Sequence, residues 1–68
     1  MIAMTRQLGR RLRQRRRAQQ LSKYALAKRA GISATYVAKL EAGGSDPTIG
    51  VLKRLAKALG VPVATLLE

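Results

Sequence analysis

The sequence contains no cysteine and no histidine. That excludes disulfides, thiolate chemistry and the usual zinc ligands. Acids are nearly as scarce, with Asp+Glu numbering 3 against 14 Lys+Arg. With so few acids and no glycine-rich phosphate loop following a strand, no catalytic residue, cofactor or metal is expected, and the chain is not read as an enzyme. Phenylalanine and tryptophan are also missing. Single-stranded RNA recognition, which leans on aromatic stacking, is correspondingly disfavoured. No apolar run approaches the ~18 residues of a bilayer span. The opening methionines lead straight into arginines rather than an apolar leader, so neither a signal peptide nor a membrane span is expected, and a cytoplasmic protein fits.

What is present is basic and aliphatic. A formal net charge of +11 makes a folded chain repel itself, and a polyanion relieves that repulsion. Nucleic acid is the first candidate and an anionic membrane surface the second. At 68 residues the chain is one domain. A domain of this size buries only about 60% of its unfolded surface, so its core must be compact, built of Leu, Ala, Val and Ile in short helices.

Local punctuation divides the chain into five helices, an all-α bundle with no strand pattern and no internal repeat. Residues 1–4 are expected to form a flexible arm, after which Thr5 caps a first helix that carries Leu8 and Leu12 at i, i+4 and ends near Gln20. Ser22 caps a second helix over 23–30, with Leu26 and Ala30 on one face, and Gly31 terminates it in a left-handed conformation. Ser33 caps a third over 34–42, with Val37 and Leu40 inward, ending at Gly43 and Gly44. After the turn at Ser45-Asp46-Pro47, Thr48 caps a fourth over 49–59, which Gly60 stops. A last short helix starts around Val61-Pro62-Val63 and carries Leu66 and Leu67. Val61, Val63, Leu66 and Leu67 either close the core or form part of a self-interface.

The second and third helices are joined by Ala30-Gly31-Ile32-Ser33. Two short helices crossing steeply need a small residue at closest approach and a positive φ in the turn. Ala27 supplies the first and Gly31 the second. Leu26, Ala30, Ile32, Val37 and Leu40 provide the shared apolar seam.

On the landmarks Leu26-Ala27, Ala30-Gly31-Ile32-Ser33, Leu40-Glu41, Gly43, Pro47 and Leu55-Ala56-Lys57-Ala58-Leu59-Gly60-Val61, the sequence resembles the phage repressor and Cro-like helix-turn-helix family. The resemblance covers nearly the whole chain. It implies a lambda-repressor-like five-helix bundle that places residues 33–41 in the DNA major groove and the preceding helix across the backbone. By position, it implies that Ala34, Thr35 and Lys39 face bases. It sets Arg13, Ser22, Lys23, Ser33 and Tyr36 toward phosphates. Ala34 departs from the longer polar side chain common there and offers only apolar contact. Lys23 stands where glutamine is common, which adds a charge suited to phosphate. Tyr36 reads equally as a phosphate hydroxyl and as a packed ring.

The arginines of the first helix admit three readings: a nuclear-import or heparin-type basic run, an amphipathic membrane helix with a thin apolar stripe, or charges spread around a packed helix with some facing DNA. The helix-turn-helix that follows favours the third. The resemblance implies that Arg16 pairs with Glu41, tying the first helix to the end of the recognition helix. After that helix the chain carries Gly44-Ser45-Asp46 rather than basic residues. Free backbone N–H groups at Gly44 and Ser45 are expected to serve as phosphate donors there. The expected function is a transcriptional regulator of double-stranded DNA, a homodimer on a palindromic operator. The alternative is the antitoxin of a toxin–antitoxin pair, which binds its own promoter and a toxin partner.

Overall fold

The computed structural model describes residues 2–67, with side chains from residue 6 onward. Five helices follow one another: α1 (Ile2–Ala18), α2 (Lys23–Ala30), α3 (Ala34–Glu41), α4 (Ile49–Leu59) and α5 (Val63–Leu67). There is no strand among the described residues. Helix α1 packs on α3 and α5, α2 on α3 and α4, and α4 on α5. The all-α five-helix expectation holds.

Side-chain caps set three of the starts. Ser22, Ser33 and Thr48 are extended, and their hydroxyl oxygens accept from the amides of Ala25, Tyr36 and Val51 at 3.0, 3.0 and 3.2 Å. Each satisfies one of the amides a helix start leaves without a partner. Gly31 and Gly60 end α2 and α4 in the left-handed region, with φ of 71° and 68°. Beyond each, the next amide reaches back to close the turn, from Ile32 to the Ala27 carbonyl and from Val61 to that of Ala56, both at 3.0 Å.

The first helix corrects the sequence reading at both ends. It begins at Ile2, upstream of the expected Thr5 cap, so residues 2–4 are helical rather than an arm, while Met1 lies outside the described residues. Nothing between Ile2 and Arg6 breaks a helix, and once nucleated the hydrogen-bond ladder propagates through Thr5. It stops at Ala18, before Gln20, which takes a φ of 57°. The Leu21 amide then bonds the Arg16 carbonyl at 3.1 Å. A non-glycine residue thus does what Gly31 and Gly60 do elsewhere.

The core is aliphatic. Leu12, Leu26, Val37, Leu40, Leu55 and Leu66 are its largest fully buried side chains. Each buried aliphatic side chain contributes roughly 1.5–3 kcal/mol. Of the C-terminal apolar set, Leu66 is buried and Val61 and Val63 pack partly against the core, so these three seal the bundle. Leu67 alone turns outward, as does Ile49 on α4.

Candidate nucleic-acid interface

The turn between α2 and α3 fixes how the third helix is presented. Ala27 is buried where the two helices meet, and Gly31 supplies the left-handed residue. Val37 and Leu40 are drawn into the core. The opposite side of α3 is thereby left outward, and Thr35 and Lys39, four residues apart on that side, are both exposed. Ala34 and Tyr36 are half-buried and pack against the core. Tyr36 is thus packed in part and exposed in part, which accords with both of its readings, and Ala34 presents only part of its methyl.

The start of α2 forms the flank. Ser22, Lys23 and Tyr24 are all exposed. The first-turn amides of a helix have no intrahelical acceptor, and the dipole makes that end positive, so Lys23 adds a full charge where an anion is already favoured. Exposed Tyr24 was not singled out by the sequence. Its signal was there: it is one of two aromatics in the chain and lies off the Leu26 and Ala30 face. Arg13 is exposed on α1.

The far end of α3 is held by an ion pair, as the resemblance implied. Arg16 donates from Nε to Glu41 Oε2 at 2.6 Å and from Nη2 to Glu41 Oε1 at 3.0 Å, a two-bond fork. Its Nη1 donates to the Leu21 carbonyl at 2.7 Å. The side chains are 8% and 3% exposed, so the pair is nearly dry. Hydrogen bonding to Glu41 raises the Arg16 pKa above its ordinary value and the charge attraction adds to this, while burial opposes it. One arginine thus joins α1, the turn before α2 and the end of α3.

Beside that pair lies a contact the sequence reading missed. Gly9 sits where α1 crosses the end of α3, and a Cβ there would stand 2.5 Å from the Leu40 carbonyl oxygen and 2.7 Å from that of Glu41. Only glycine lets the two backbones approach this closely.

The loop after α3 departs from expectation. The Gly44 amide is not free: it donates to the Lys39 carbonyl at 2.9 Å, closing the end of α3, with Gly43 left-handed at a φ of 75°. Gly44 is therefore removed from the expected phosphate donors, because the helix end needed its amide more locally. Ser45 is half-buried in the same loop, and Asp46 is engaged in an interaction of its own.

A short capped helix with an outward polar face, held at one end by a turn and at the other by an ion pair, defines a helix-turn-helix DNA-binding domain. The chain belongs to the helix-turn-helix family HTH_3, whose model matches residues 12–66. Among solved structures it is similar to the restriction-modification controller protein C.AhdI from Aeromonas hydrophila. That match has 33% identity and a TM-score of 0.92, over 94% of this chain and 97% of that one. It is similar as well to the clp gene regulator ClgR from Corynebacterium glutamicum, at 30% identity and a TM-score of 0.90, over 94% of this chain and 68% of that one. An HTH_3 family transcriptional regulator from Vibrio cholerae matches at 28% identity and a TM-score of 0.91, over 96% of this chain but 36% of its own. A comparison with curated proteins finds no match. The fold is that of DNA-binding transcriptional regulators, and no described helix is long and apolar enough to cross a membrane.

Proposed function

We propose that the chain is a sequence-specific regulator of double-stranded DNA, with α3 in the major groove, Thr35 and Lys39 meeting base edges, and Ala34 contributing shape. The observation that carries this is the joint exposure of Thr35 and Lys39 on a helix whose two ends are fixed. Lys39 can donate to guanine O6 or N7, and Thr35 can offer a hydroxyl or a methyl. Arg13, Ser22, Lys23, Ser33, Tyr36 and Ser45 are the groups proposed to meet phosphate. The Ser22 and Ser33 oxygens already accept a backbone hydrogen bond, so toward phosphate each acts by donating its hydroxyl proton.

Recovery and sequencing of protein-bound genomic fragments tests the reading directly, and a single recurrent duplex motif is the expected result. On that motif, Lys39→Ala should cost about 1–3 kcal/mol and relax preference at one base pair. Arg13→Gln should weaken all duplexes alike and lower the salt slope by about 0.9. Wild-type binding that ignores salt, or a Lys39→Ala protein with unchanged preference, would refute the assignment.

Ser22 allows its two roles to be separated. Ser22→Ala should lower stability by about 1 kcal/mol through loss of the cap. Ser22→Asp keeps the cap and should leave the melting curve nearly unchanged, yet it sets a negative charge against phosphate and should weaken DNA binding. Equal DNA affinity in Ser22→Asp and wild type would remove Ser22 from the contact set.

The regulator is proposed to act as a dimer, with recognition helices about 34 Å apart on a palindrome. Exposed Leu67 and Ile49 are apolar groups available for self-contact. Sedimentation with and without the recovered motif checks this. The end-to-end match to a restriction-modification controller favours control of a restriction-modification operon as the specific role. A recovered motif lying upstream of such genes is the expected observation.

A further inference from the structure

A concavity of about 350 Å³ lies on α1, lined by Gln7, Arg10, Arg11 and Gln14. These residues follow i, i+3, i+4, i+7 spacing and so share one strip of the helix. Every one can donate through an amide or guanidinium, and no acid lines the space. Arg11 is half-buried, and its Nε is buried without a hydrogen-bond partner. Burial without a partner forfeits the hydrogen bond that this donor makes in water. A turn of the Arg11 side chain toward an oxyanion in the concavity recovers that loss and completes a two-bond fork.

The direction of this strip matters. Gly9 marks the side of α1 that rests on α3. At ~100° per residue, the strip is centred about 150° around the helix from Gly9, facing away from α3. A duplex seated on α3 does not reach it. The strip runs about 10 Å along the helix, long enough for its two guanidiniums to meet neighbouring phosphates of a duplex backbone. We infer that this outer face of α1 is a second phosphate-binding surface, which holds the backbone of a second DNA segment while α3 occupies its groove. The inference rests on the DNA-binding reading above. Nucleic acid is favoured over an acidic protein because the partner already proposed for α3 is a duplex, whose backbone offers an unbroken run of phosphates to a strip of cations and neutral donors that no acid lines.

The test uses the full chain, an immobilised duplex of mixed sequence and a fluorescent duplex offered in solution. Wild type is expected to capture the second duplex. Arg10→Gln/Arg11→Gln should bind the first duplex within about threefold of wild type but lose capture of the second by about tenfold or more. Lys53→Gln/Arg54→Gln removes the same charge from exposed positions on α4 and should capture like wild type. Gln14→Glu, which halves the net charge of the strip while permitting a helix-stabilising pair with Arg10 or Arg11, should weaken capture without losing stability. The inference is overturned if wild type binds one duplex and captures no second, or if the α1 and α4 variants behave alike. It is equally overturned if polyglutamate displaces the captured duplex at lower charge concentration than competitor DNA does. A wild type that binds no duplex removes the functional reading as well.

Discussion

Glu41→Ala is expected to lower the melting temperature by about 15–30 °C. The estimate starts from burial: the Arg16 side chain is 8% exposed and the Glu41 side chain 3%, so removing the carboxylate strands a guanidinium with little access to water. Breaking a buried pair from one side costs about 3–5 kcal/mol. A domain of this size has roughly 3–10 kcal/mol of stability in all, and each kcal/mol moves its melting point by about 4–8 °C. The Leu21 carbonyl still accepts from Nη1, which keeps the loss toward the lower end. A double variant, Arg16→Leu/Glu41→Leu, should lose less than the two single replacements added together, because neither charge is then left alone. Thermal unfolding of the four proteins of that cycle, and of Glu41→Ala beside them, measures this. A Glu41→Ala curve superimposable on wild type, or strict additivity in the cycle, would show that the pair does not hold α1 to α3.

The ion pair was legible before the structure because so few acids compete for the arginines, and because the resemblance singled out Arg16 and Glu41. Caps were legible for a different reason. Ser22, Ser33 and Thr48 act on amides three residues away, so the sequence window contains both partners. The bounds of α2 and α4 follow from such local chemistry. The start of α1 did not, since Thr5 resembles a cap but nothing upstream of it terminates a helix. Gly44 failed for a related reason. A glycine pair after a helix suggests free amides, whereas one of them is used to close the helix itself. Tertiary information was hardest to see: whether Val61 and Val63 seal the core or face outward depends on where α1 and α4 lie, and hydrophobicity alone is silent on that.

These features bear on function through the rigidity of α3. Its first turn is capped by Ser33, its last turn is closed by the Gly44 amide, and its final side chain is gripped by Arg16. On the proposed reading, Thr35 and Lys39 would need little ordering of the backbone beneath them on meeting a base pair, which would leave more of the contact energy for discrimination.

Gly9→Ala provides the sharpest separation of local from tertiary effects. Within an isolated helix this change stabilises by up to about 1 kcal/mol, because alanine is the better helix former. In this protein the added methyl would meet two backbone carbonyls, at 2.5 and 2.7 Å, and neither can swing aside like a side chain. Relief requires α1 and the end of α3 to separate, and that stretches the Arg16–Glu41 fork built on the same two helices. Overpacking of this kind costs about 1–3 kcal/mol and outweighs the propensity gain. The expected result is a melting point lowered by about 5–15 °C, together with weaker DNA binding as α3 shifts. Gly50→Ala is the matched control: a Cβ there meets only the Thr48 hydroxyl oxygen, at 3.8 Å, so the same substitution should raise stability by about 0.5–1 kcal/mol. Opposite signs from one substitution at two helical glycines are the signature of backbone contact at Gly9. A gain in stability at both positions would mean that α1 does not rest on α3 as described.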